Sequence, residues 1–466
     1  LKITSRLIKM CGIFIYCNFS NKALDNNIYN CFNKLQRRGP DRKRILIENN
    51  LFRGFHRLCI NDLSELGDQP MIFKKGVVMC NGEIFNYKEL SQKFRITLET
   101  ESDCEIIQAL YLYFLSLFFS SFNSFVNTLK LLSGDFAIVL ETQHAIFAAR
   151  DPIGVRPLFY GYTEDNNLII SSEAKAMSLC APNRCSQIFP GMAYWFQKDF
   201  MSCEPYHHFP LTPSLSSGDK LKELLIAATK KRLLSDRPIG CLLSGGLDSS
   251  IIASILVKLI GRENVRTYSI GMKDSLDLEY ARKVADYLGT NHTEVIFTPE
   301  EGIEAISEVI YAIETYDITT VRASVGMYLL GKYISENTND IVIFSGEGSD
   351  ELLMGYLYFH HAPSDRAAEK ESLRLVNELY LYDAKRGDAC ISSHGLEIRV
   401  PFLDKDVVEY CLSLKGDVRR PKNGLEKSLL RELFRGDLPN EVINRRKDGF
   451  SDGVSGKKAW YEFIQD

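Results

Sequence analysis

The stretch CLLSGGLDSS, residues 241–250, carries the strongest structural signal in the chain. A short apolar run enters a Ser-Gly-Gly turn, and the apolar spacing of a helix follows at once. Backbone N–H groups at such a turn form a cradle for anions, and Gly245 and Gly246 let phosphate oxygens approach the main chain. We expect a phosphate-binding loop; the Walker A pattern is absent, and a plain strand–helix turn is the alternative. The polar side chains of this loop are Ser244, Asp248, Ser249 and Ser250.

A second glycine turn, IVIFSGEGSDE at residues 341–351, repeats this arrangement. Loops at the carboxyl ends of neighbouring parallel strands converge on one ligand, so we expect Asp350 and Asp248 to share a Mg²⁺ ion that holds phosphate. Glu347 adds a carboxylate suited to acid–base work, and Ser345 and Gly346 offer hydrogen-bond donors. A solvated acidic turn is the alternative, but it explains poorly why two glycine turns both carry aspartate.

The segments around these loops alternate between strands and helices. Such alternation predicts a doubly wound parallel sheet, and the segment 205–219, rich in Pro and Ser, predicts the linker that precedes it. The predicted helices cover residues 220–234, 250–260 and 278–288, and the predicted strands cover residues 239–243, 266–270, 293–297 and 341–344.

The first part of the chain predicts stacked sheets flanked by helices, because many short strands accompany few helices. The apolar segment at residues 109–122 is shorter than the roughly 20 residues that a bilayer span needs. It therefore predicts a buried helix, in the core or at a partner interface. The predicted strands are 13–16, 77–80, 136–140, 145–149 and 168–171, and the predicted helices are 26–36 and 104–118.

The composition of the 466 residues, 45% hydrophobic and 25% charged, is typical of a folded protein and excludes a disordered chain or a rod. A formal charge of −4 gives no electrostatic basis for nucleic-acid binding, and no segment predicts a membrane span. The 12 cysteines are scattered without a CxxC pair, which predicts reduced thiols in the cytosol.

A cysteine follows directly after a methionine in Met10-Cys11-Gly12, just before the first predicted strand. Because the chain starts with Leu1 and not with Met, we expect translation to begin at Met10 and removal of Met10 to expose Cys11. The free α-amine, with a pKa of about 8, would then activate the Cys11 thiol as a nucleophile. Taken alone, the cysteine is equally well explained as a small core residue.

Three further features favour a site around Cys11. The sequence NGE at residues 81–83 follows an apolar strand, and it could present a side-chain amide and a backbone N–H as an oxyanion hole. Arg57 could bind a substrate carboxylate through two hydrogen bonds, and Asp103 could bind a substrate ammonium. Together they predict a site for an α-amino acid with a reacting carbonyl, although each alone also suits an ordinary surface.

Other motifs accompany these two sites along the chain. They are CGIF at 11–14, RRGPD at 37–41, GFHRL at 54–58, NGEIFNY at 81–87, DPIGVRPLFYG at 151–161, SGGLDSS at 244–250, ETYDITTVRASVGMYL at 314–329, SGEGSDEL at 345–352, GLEIRVPFLD at 395–404 and FSDGV at 450–454. In this order the motifs resemble the animal-type family of glutamine-hydrolysing asparagine synthetases. The resemblance implies an N-terminal αββα sandwich of the Ntn-hydrolase type at 11–204, a linker at 205–219 and an ATP-pyrophosphatase domain at 220–466.

The resemblance also implies the chemistry. Glutamine is hydrolysed at Cys11, ammonia travels through an internal tunnel, and ATP with Mg²⁺ converts aspartate into β-aspartyl-AMP and diphosphate. Ammonia then displaces AMP to give asparagine. The implied partners are the small molecules glutamine, aspartate and ATP, without nucleic acid or membrane, and the resemblance allows a cytosolic homodimer.

Site residues follow from the motifs that match. The implied catalytic residues are Cys11, Asn81, Gly82 and Glu347, and glutamine binding falls to Arg57, Leu58, Cys59, Ile60, Asn61, Asn81, Gly82, Glu83 and Asp103. ATP binding falls to Leu243, Ser244, Gly245, Gly246, Asp248, Ser249, Ser250, Ile270, Ser345, Gly346 and Lys427. Thr319 and Arg322 lie where aspartate or the intermediate is expected, and Asp248 and Asp350 match the metal and diphosphate carboxylates.

The chain departs from the family at its ends. The family begins with Cys directly after the initiator Met, whereas ten residues precede Cys11 here, and relatives continue past Asp466. If residues 1–10 are retained, an ammonia-only synthetase is the alternative, because the amine base is lost. A non-catalytic metabolite-binding relative is the third interpretation, and the intact loops at 244–250 and 345–351 argue against it.

Overall fold

The computed structural model describes residues 11–19, 25–39, 41–48, 50–118, 120–447, 454–455 and 462. The leader at residues 1–10 and most of the FSDGV motif, residues 450–453, lie outside the described residues. The chain divides into two compact units, one with residues 1–208 and 392–395 and the other with residues 209–391 and 396–466. The division after residue 208 falls inside the segment 205–219, whose role as a linker stays a prediction.

The first unit is built on two six-stranded antiparallel sheets. Its strands are β1 (Gly12–Cys17), β2 (Arg42–Glu48), β3 (Leu51–Arg57), β4 (Met71–Phe73), β5 (Gly76–Ile84), β6 (Gly134–Thr142), β7 (Ile146–Arg150), β8 (Phe159–Tyr162), β9 (Leu168–Ser171), β10 (Cys185–Gln187), β11 (Met192–Gln197) and β12 (Phe200–Pro205). One sheet has the order β10-β8-β9-β1-β3-β2, and the other has the order β12-β11-β7-β6-β5-β4.

Helices cover the outer faces of both sheets. The helices are α1 (Asn26–Asn33), α2 (Tyr87–Phe94), α3 (Glu105–Phe118) and α4 (Ser121–Leu131). Ile13 of β1 packs with Met79 of β5 between the sheets. Phe32 of α1 packs on the outer face of the first sheet, and Phe125 of α4 stacks on Phe147 of β7, with ring centroids 5.4 Å apart. Because β1 is covered on both faces, all six of its residues are buried. The predicted αββα sandwich is confirmed.

The second unit contains a five-stranded parallel sheet with the order β15-β14-β13-β16-β17. Its strands are β13 (Ile239–Leu242), β14 (Arg266–Gly271), β15 (Asn291–Ile296), β16 (Val342–Phe344) and β17 (Glu397–Arg399). The chain leaves β13 towards β14 and β15, then returns to β16 on the other side of β13. Right-handed crossovers therefore place helices on both faces, and β13 and β16 flank the switch point where such sheets bind ligands. The predicted doubly wound parallel sheet is confirmed.

Twelve helices complete the described part of this unit. They are α5 (Leu221–Lys231), α6 (Leu247–Ile260), α7 (Leu276–Leu288), α8 (Pro299–Ile313), α9 (Ile318–Asn337), α10 (Ser349–Leu352), α11 (Asp365–Glu378), α12 (Asp383–Ser392), α13 (Lys405–Ser413), α14 (Gly416–Arg419), α15 (Ser428–Leu433) and α16 (Asn440–Ile443). Helix α6 starts three residues earlier than the apolar spacing predicts, because Gly246 takes the N-cap position with an extended backbone.

The apolar segment at residues 109–122 is buried in the core only in its first half, and a partner interface for its second half stays a prediction. Leu110 and Tyr111 are buried, but Leu117 is 53% exposed and Phe118 is 48% exposed. At this end Phe114 packs against Phe94 of α2 and against Phe118 of the same helix. Among the helices of the described ranges, none combines the length and the apolar character that crossing a membrane demands.

A buried ion pair ties α5 to the N-terminus of α13. Asp404 is 3% exposed, and its carboxylate lies 2.5 Å from Arg232 and 2.6 Å from Lys231. Asp404 also caps α13 through the N–H of Asp406. Burial alone would raise the pKa of Asp404, but Arg232 and Lys231 hold this pKa below its ordinary value. The carboxylate is therefore charged and stabilises the fold at neutral pH.

We predict that Asp404→Asn destabilises the second unit by about 3–5 kcal/mol at pH 7, because it leaves the buried Arg232 without its anion. A carboxylate with a depressed folded pKa contributes fully above its unfolded pKa of about 3.9, and the contribution is lost as the pH falls through the folded value. The difference from wild type in urea unfolding should therefore shrink below pH 4. Asp406→Asn is the control, because Asp406 is exposed and 3.5 Å from Lys231, and it should cost less than about 1 kcal/mol. An equal cost for both variants would contradict the assignment.

Candidate functional site

Cys11 lies directly before β1, a central strand of its sheet, and is held there by Leu58 and Arg38. The N–H of Leu58 donates to the Cys11 sulfur at 3.3 Å, and the thiol is partly exposed. The buried Arg38 donates from Nε to the Cys11 carbonyl oxygen at 2.9 Å. The thiol is thus partly accessible, while one contact holds its sulfur and another holds the main chain, as a nucleophile requires.

Arg57, predicted to bind a substrate carboxylate, directs its guanidinium into its own loop. It pairs with Asp68 at 2.6 Å and donates to the carbonyl oxygens of Asn61, Asp62 and Ser64. This network shapes the loop that follows β3, which carries Leu58, Cys59, Ile60 and Asn61. Direct binding of a carboxylate by Arg57 stays a prediction.

The loop brings Asn61 onto the carboxylates of Glu83 and Asp103, and the ammonium-binding role predicted for Asp103 stays a prediction. Asn61 donates from Nδ2 to Glu83 of β5, and the same nitrogen lies 3.4 Å from Asp103. The other oxygen of Asp103 accepts the N–H of Ile84 at 2.6 Å. Glu83 is 5% exposed and Asp103 is 3% exposed, so two buried carboxylates face one amide. An α-ammonium is the kind of group that would balance their charge.

Asn81 and Gly82 have the properties of an oxyanion hole. The Asn81 side-chain nitrogen is buried and finds no hydrogen-bond partner among the described residues. A buried donor without a partner costs free energy unless a ligand accepts from it. Gly82 has a φ of 131°, and a Cβ here would lie 2.0 Å from the carbonyl oxygen of Asp135, so the position requires glycine.

Cys59 and Ile60 are buried residues of the loop that follows β3, and the thiol of Cys59 is a poor nucleophile. The N–H of Cys59 donates to Asp41 at 3.1 Å, which fixes the loop backbone. Burial raises the pKa of the Cys59 thiol, which keeps it protonated. Among the cysteines predicted for this site, Cys11 therefore remains the candidate nucleophile.

The second unit has a cavity of about 390 Å³ at the switch point between β13 and β16. It is lined by most of the residues that the sequence assigns to nucleotide and aspartate. These are Leu243, Ser244, Gly246, Asp248, Ser249, Ile270, Thr319, Ser345, Gly346, Glu347, Asp350 and Lys427. Two loops that are a hundred residues apart in sequence thus form one site.

The loop after β13 is organised around its own hydroxyl groups. Ser249 accepts the N–H of Ser244 at 3.2 Å, and the two side-chain oxygens lie 3.1 Å apart. Gly246 then caps α6 without a side chain, which leaves the first N–H groups of the helix facing the cavity. This arrangement is suited to binding phosphate.

Lys427 joins the two aspartates that the sequence places in the metal and phosphate site. Its ammonium pairs with Asp248 and lies 2.7 Å from Asp350. Lys447 pairs with the second oxygen of Asp350. Burial alone would raise the pKa of Asp350, but Lys427 and Lys447 hold this pKa well below its ordinary range. The Asp350 carboxylate is therefore charged at neutral pH.

Glu347 lies beside this cluster in a different environment. It pairs with Arg386 at 2.9 Å, and Arg386 also pairs with Asp383 at 2.8 Å. Burial raises the pKa of Glu347, and Arg386 only partly opposes the rise. Glu347 is thus better placed to accept a proton than Asp350, which agrees with the acid–base role expected of it.

Three predicted residues do not line the cavity. The hydroxyl of Ser250 donates back to the Gly246 carbonyl at 2.6 Å, within the first turn of α6. Gly245, with a φ of 72°, packs against the backbone of residues 280–281, so it shapes the turn. Arg322 lies one turn beyond Thr319 on α9 and does not border the cavity, so its aspartate role stays a prediction.

Sequence reasoning missed several charged residues of the cavity. Lys447, Arg386 and Asp383 line it, together with Glu351, whose pKa rises to about 8 through burial and the nearby Asp383. Glu351 lies within the SGEGSDEL motif, whereas local sequence gives little sign of Lys447, Arg386 and Asp383, because they reach the cavity from distant segments. The basic run RRK at 445–447, just before FSDGV, was a signal that could have identified Lys447.

The carboxylates of Asp248 and Asp350 could supply only part of the ligand shell of a Mg²⁺ ion. Among the described residues, no three or more His, Cys, Asp or Glu side chains cluster as metal ligands. Mg²⁺ is usually held by one or two carboxylates, with phosphate and water oxygens completing the shell. Asp248 and Asp350 fit that mode, since each faces the cavity that would contain the phosphates.

Comparisons with known proteins cover both units. A family model described as "Asparagine synthase" matches residues 220–380 and 362–465, and a "Glutamine amidotransferase domain" model matches residues 10–209. Proteins named "Asparagine synthetase [glutamine-hydrolyzing]" from Cricetulus griseus and Mus musculus are 44% identical over 504 residues. The one from Homo sapiens is 43% identical over 504 residues. Each alignment covers 98% of this chain and 87% of the relative.

We predict that Gly346→Ala forces the two cavity loops apart. The added Cβ would lie 2.8 Å from the backbone carbon of Asp248 and 2.8 Å from the Ser249 nitrogen. The strain should lower the unfolding free energy of the second unit by about 1–3 kcal/mol in urea. Gly246→Ala is the matched control, because its nearest neighbour is the Ser244 hydroxyl at 3.3 Å and its φ is −74°. It should cost less than about 1 kcal/mol, and equal losses would show that the loops do not meet at Gly346.

Proposed function

The chain belongs to the asparagine synthetase family, and we propose that it forms asparagine from aspartate, with ATP as the energy source and glutamine as the nitrogen donor. The other products are glutamate, AMP and diphosphate. The observation that carries this proposal is the pairing of Lys427 with both Asp248 and Asp350 at the sheet switch point, beside Glu347. The partly exposed thiol of Cys11 in the first unit supports the use of glutamine.

In the first unit, the thiolate of Cys11 attacks the side-chain amide carbon of glutamine. The oxyanion that forms accepts hydrogen bonds from the Asn81 amide and the Gly82 N–H, and the buried Asn81 amide is costly to leave without an acceptor. Glu83 and Asp103 hold the α-ammonium of the substrate. Ammonia leaves, and water then cleaves the thioester to release glutamate and restore the thiol. The α-amine of Cys11 carries the proton when Cys11 is the first residue.

In the second unit, the side-chain carboxylate of aspartate attacks the α-phosphorus of ATP, and diphosphate leaves with the electron pair of the broken bond. Lys427 and Lys447 lie where they can neutralise the charge that develops on diphosphate. The N-terminus of α6 binds the phosphates through its free N–H groups. Mg²⁺ held by Asp248 and Asp350 would add further charge neutralisation for the phosphates.

The second step consumes the ammonia. Ammonia attacks the activated carbonyl carbon of β-aspartyl-AMP, AMP leaves, and one proton must be removed from the nitrogen. Glu347 is suited to take this proton, since burial raises its pKa while Arg386 keeps its carboxylate in place. We place the reaction in the cytosol, in keeping with 12 cysteines that are all free thiols. A homodimer remains an expectation from the resemblance.

We predict that Cys11→Ala, in a chain that starts at residue 11, abolishes asparagine synthesis from glutamine but leaves synthesis from ammonium salts. The nucleophile is lost, so the glutamine-dependent rate should fall on the order of 10⁴-fold. Asparagine, measured by amino-acid chromatography, reports both rates. Cys203→Ala is the control, because Cys203 is an exposed thiol on β12.

The same assay on the chain with residues 1–10 attached tests the amine of Cys11. We expect this longer chain to use ammonia and not glutamine. Full glutamine use by Cys11→Ala would overturn the nucleophile assignment, and full glutamine use by the longer chain would overturn the role of the amine.

We predict that Lys427→Met lowers the aspartate-dependent exchange of labelled diphosphate into ATP by about 10²–10³-fold, because the departing diphosphate loses a cation. Lys422→Met is the control, since Lys422 is exposed five residues earlier, and it should keep the wild-type rate. A wild-type exchange rate in Lys427→Met would remove the observation that carries the proposal.

A further inference from the structure

Two cysteines that the proposed reaction does not use lie against each other in the first unit. The sulfur of Cys31, on α1, is 3.5 Å from the sulfur of Cys180, in the turn that follows residues 174–177. Cys31 is fully buried, whereas Cys180 is partly exposed. The pair is therefore within reach of a small reagent from one side.

The chain segments that carry Cys31 and Cys180 are joined a second time by an ion pair. It lies seven residues after Cys31 and seven residues before Cys180. Arg38 pairs with Glu173 at 3.2 Å, and both side chains are buried. Between the two links, Leu35 packs with Ala176 and Met177 in the apolar layer over the first sheet. Segments 31–38 and 173–180 thus form one strip, with the thiol pair at one end and the ion pair at the other. Arg38 also holds the Cys11 carbonyl, so the strip supports the nucleophile.

We propose that Cys31 and Cys180 form a redox site, in which a hydroperoxide oxidises the two thiols to a disulfide that locks this strip. The oxidant transfers one oxygen to the accessible sulfur of Cys180, which gives a sulfenic acid and one molecule of water or alcohol. The sulfur of Cys31 then attacks the Cys180 sulfur and displaces hydroxide, which takes the remaining thiol proton and leaves as water. The two sulfurs are oxidised by two electrons in total, and the peroxide bond is reduced.

The surroundings of Cys31 favour the second step. The hydrogen bond with Cys180 lowers the pKa of the Cys31 thiol, and the backbone near residue 179 and the Lys34 ammonium lower it further against the effect of burial. The same hydrogen bond raises the pKa of the Cys180 thiol, so the attacking sulfur is the one that more readily becomes a thiolate, and exposure rather than acidity directs the oxidant to Cys180. Cys180 lies in a turn outside the strands and helices, so it can close the remaining gap.

Other thiols of the described chain lack one of these features. Cys104 is hydrogen-bonded to Cys80, but both are buried in the core below the NGE segment. Cys185 and Cys203 are both exposed, so neither is a half-buried thiol like Cys180. Proximity and access occur together at Cys31 and Cys180.

The test is disulfide mapping of the whole protein after treatment with one equivalent of hydrogen peroxide. Free thiols are blocked with N-ethylmaleimide, and the protein is digested without reductant. We expect a linked pair of peptides that contains Cys31 and Cys180 and disappears after dithiothreitol. We also expect the oxidised protein to melt higher, by on the order of 5 °C, because the link closes a long loop of the unfolded chain.

Cys180→Ser should abolish the linked peptides and the melting shift, and Cys203→Ser should keep both. The same mapping on wild-type protein in urea tests whether the link depends on the fold. In urea we expect mixed cysteine pairs in place of the link between Cys31 and Cys180. This test does not require any variant to fold. Maleimide on both Cys31 and Cys180 of the peroxide-treated native protein would overturn the proposal, and so would a link in the native protein between other cysteines. These readouts do not depend on asparagine synthesis.

Discussion

The ammonium group of Lys427 lies between two carboxylates, Asp248 and Asp350, that come from loops about a hundred residues apart. Such a cluster depends on the order of the strands. The chain adds β14 and β15 on one side of β13 and then returns to add β16 on the other side, so the loops after β13 and β16 lie side by side. The contact is so close that Gly346 touches the backbone of residues 248–249. The order of the strands is therefore the physical basis of the nucleotide site that we propose.

In the first unit, an antiparallel sandwich positions the residues around Cys11. It must hold a reactive thiol at the start of a central strand and place a hydrogen-bond donor where a ligand can accept from it. Arg38 and Leu58 hold Cys11, while the Asn81 amide nitrogen has no acceptor among the described residues. Unsatisfied donors and crowded carboxylates lower stability, and the buried core between the two sheets offsets that cost. The site is thus less stable than its surroundings, because a donor lacks an acceptor in the described part of the chain and two carboxylates lie close together, as is common at ligand sites.

Sequence reasoning located the elements whose signals are local. The predicted strands at 13–16, 77–80, 136–140 and 168–171 lie within observed strands, because β-branched and aromatic runs bounded by turns are informative by themselves. It missed β17, whose three residues EIR look polar, since Arg399 is buried through its pairing with Glu397 and its hydrogen bonds to the carbonyl oxygens of Arg232 and Leu234. Lys447 and Arg386 were missed for a related reason, because tertiary contacts alone bring them to the cavity. The full extent of α3 shows the reverse case, in which a strong apolar run ends with exposed side chains.

The central claim is that Asp248 and Asp350 act together on one phosphate-bearing ligand. A double-mutant cycle with Asp248→Asn and Asp350→Asn tests it most directly, with aspartate-dependent exchange of diphosphate into ATP as the readout. We expect each single variant to lose nearly as much activity as the double variant, because groups that hold one ligand as a unit fail together. If the logarithms of the two single losses add up to that of the double variant, the carboxylates act independently and the account of the shared site is wrong.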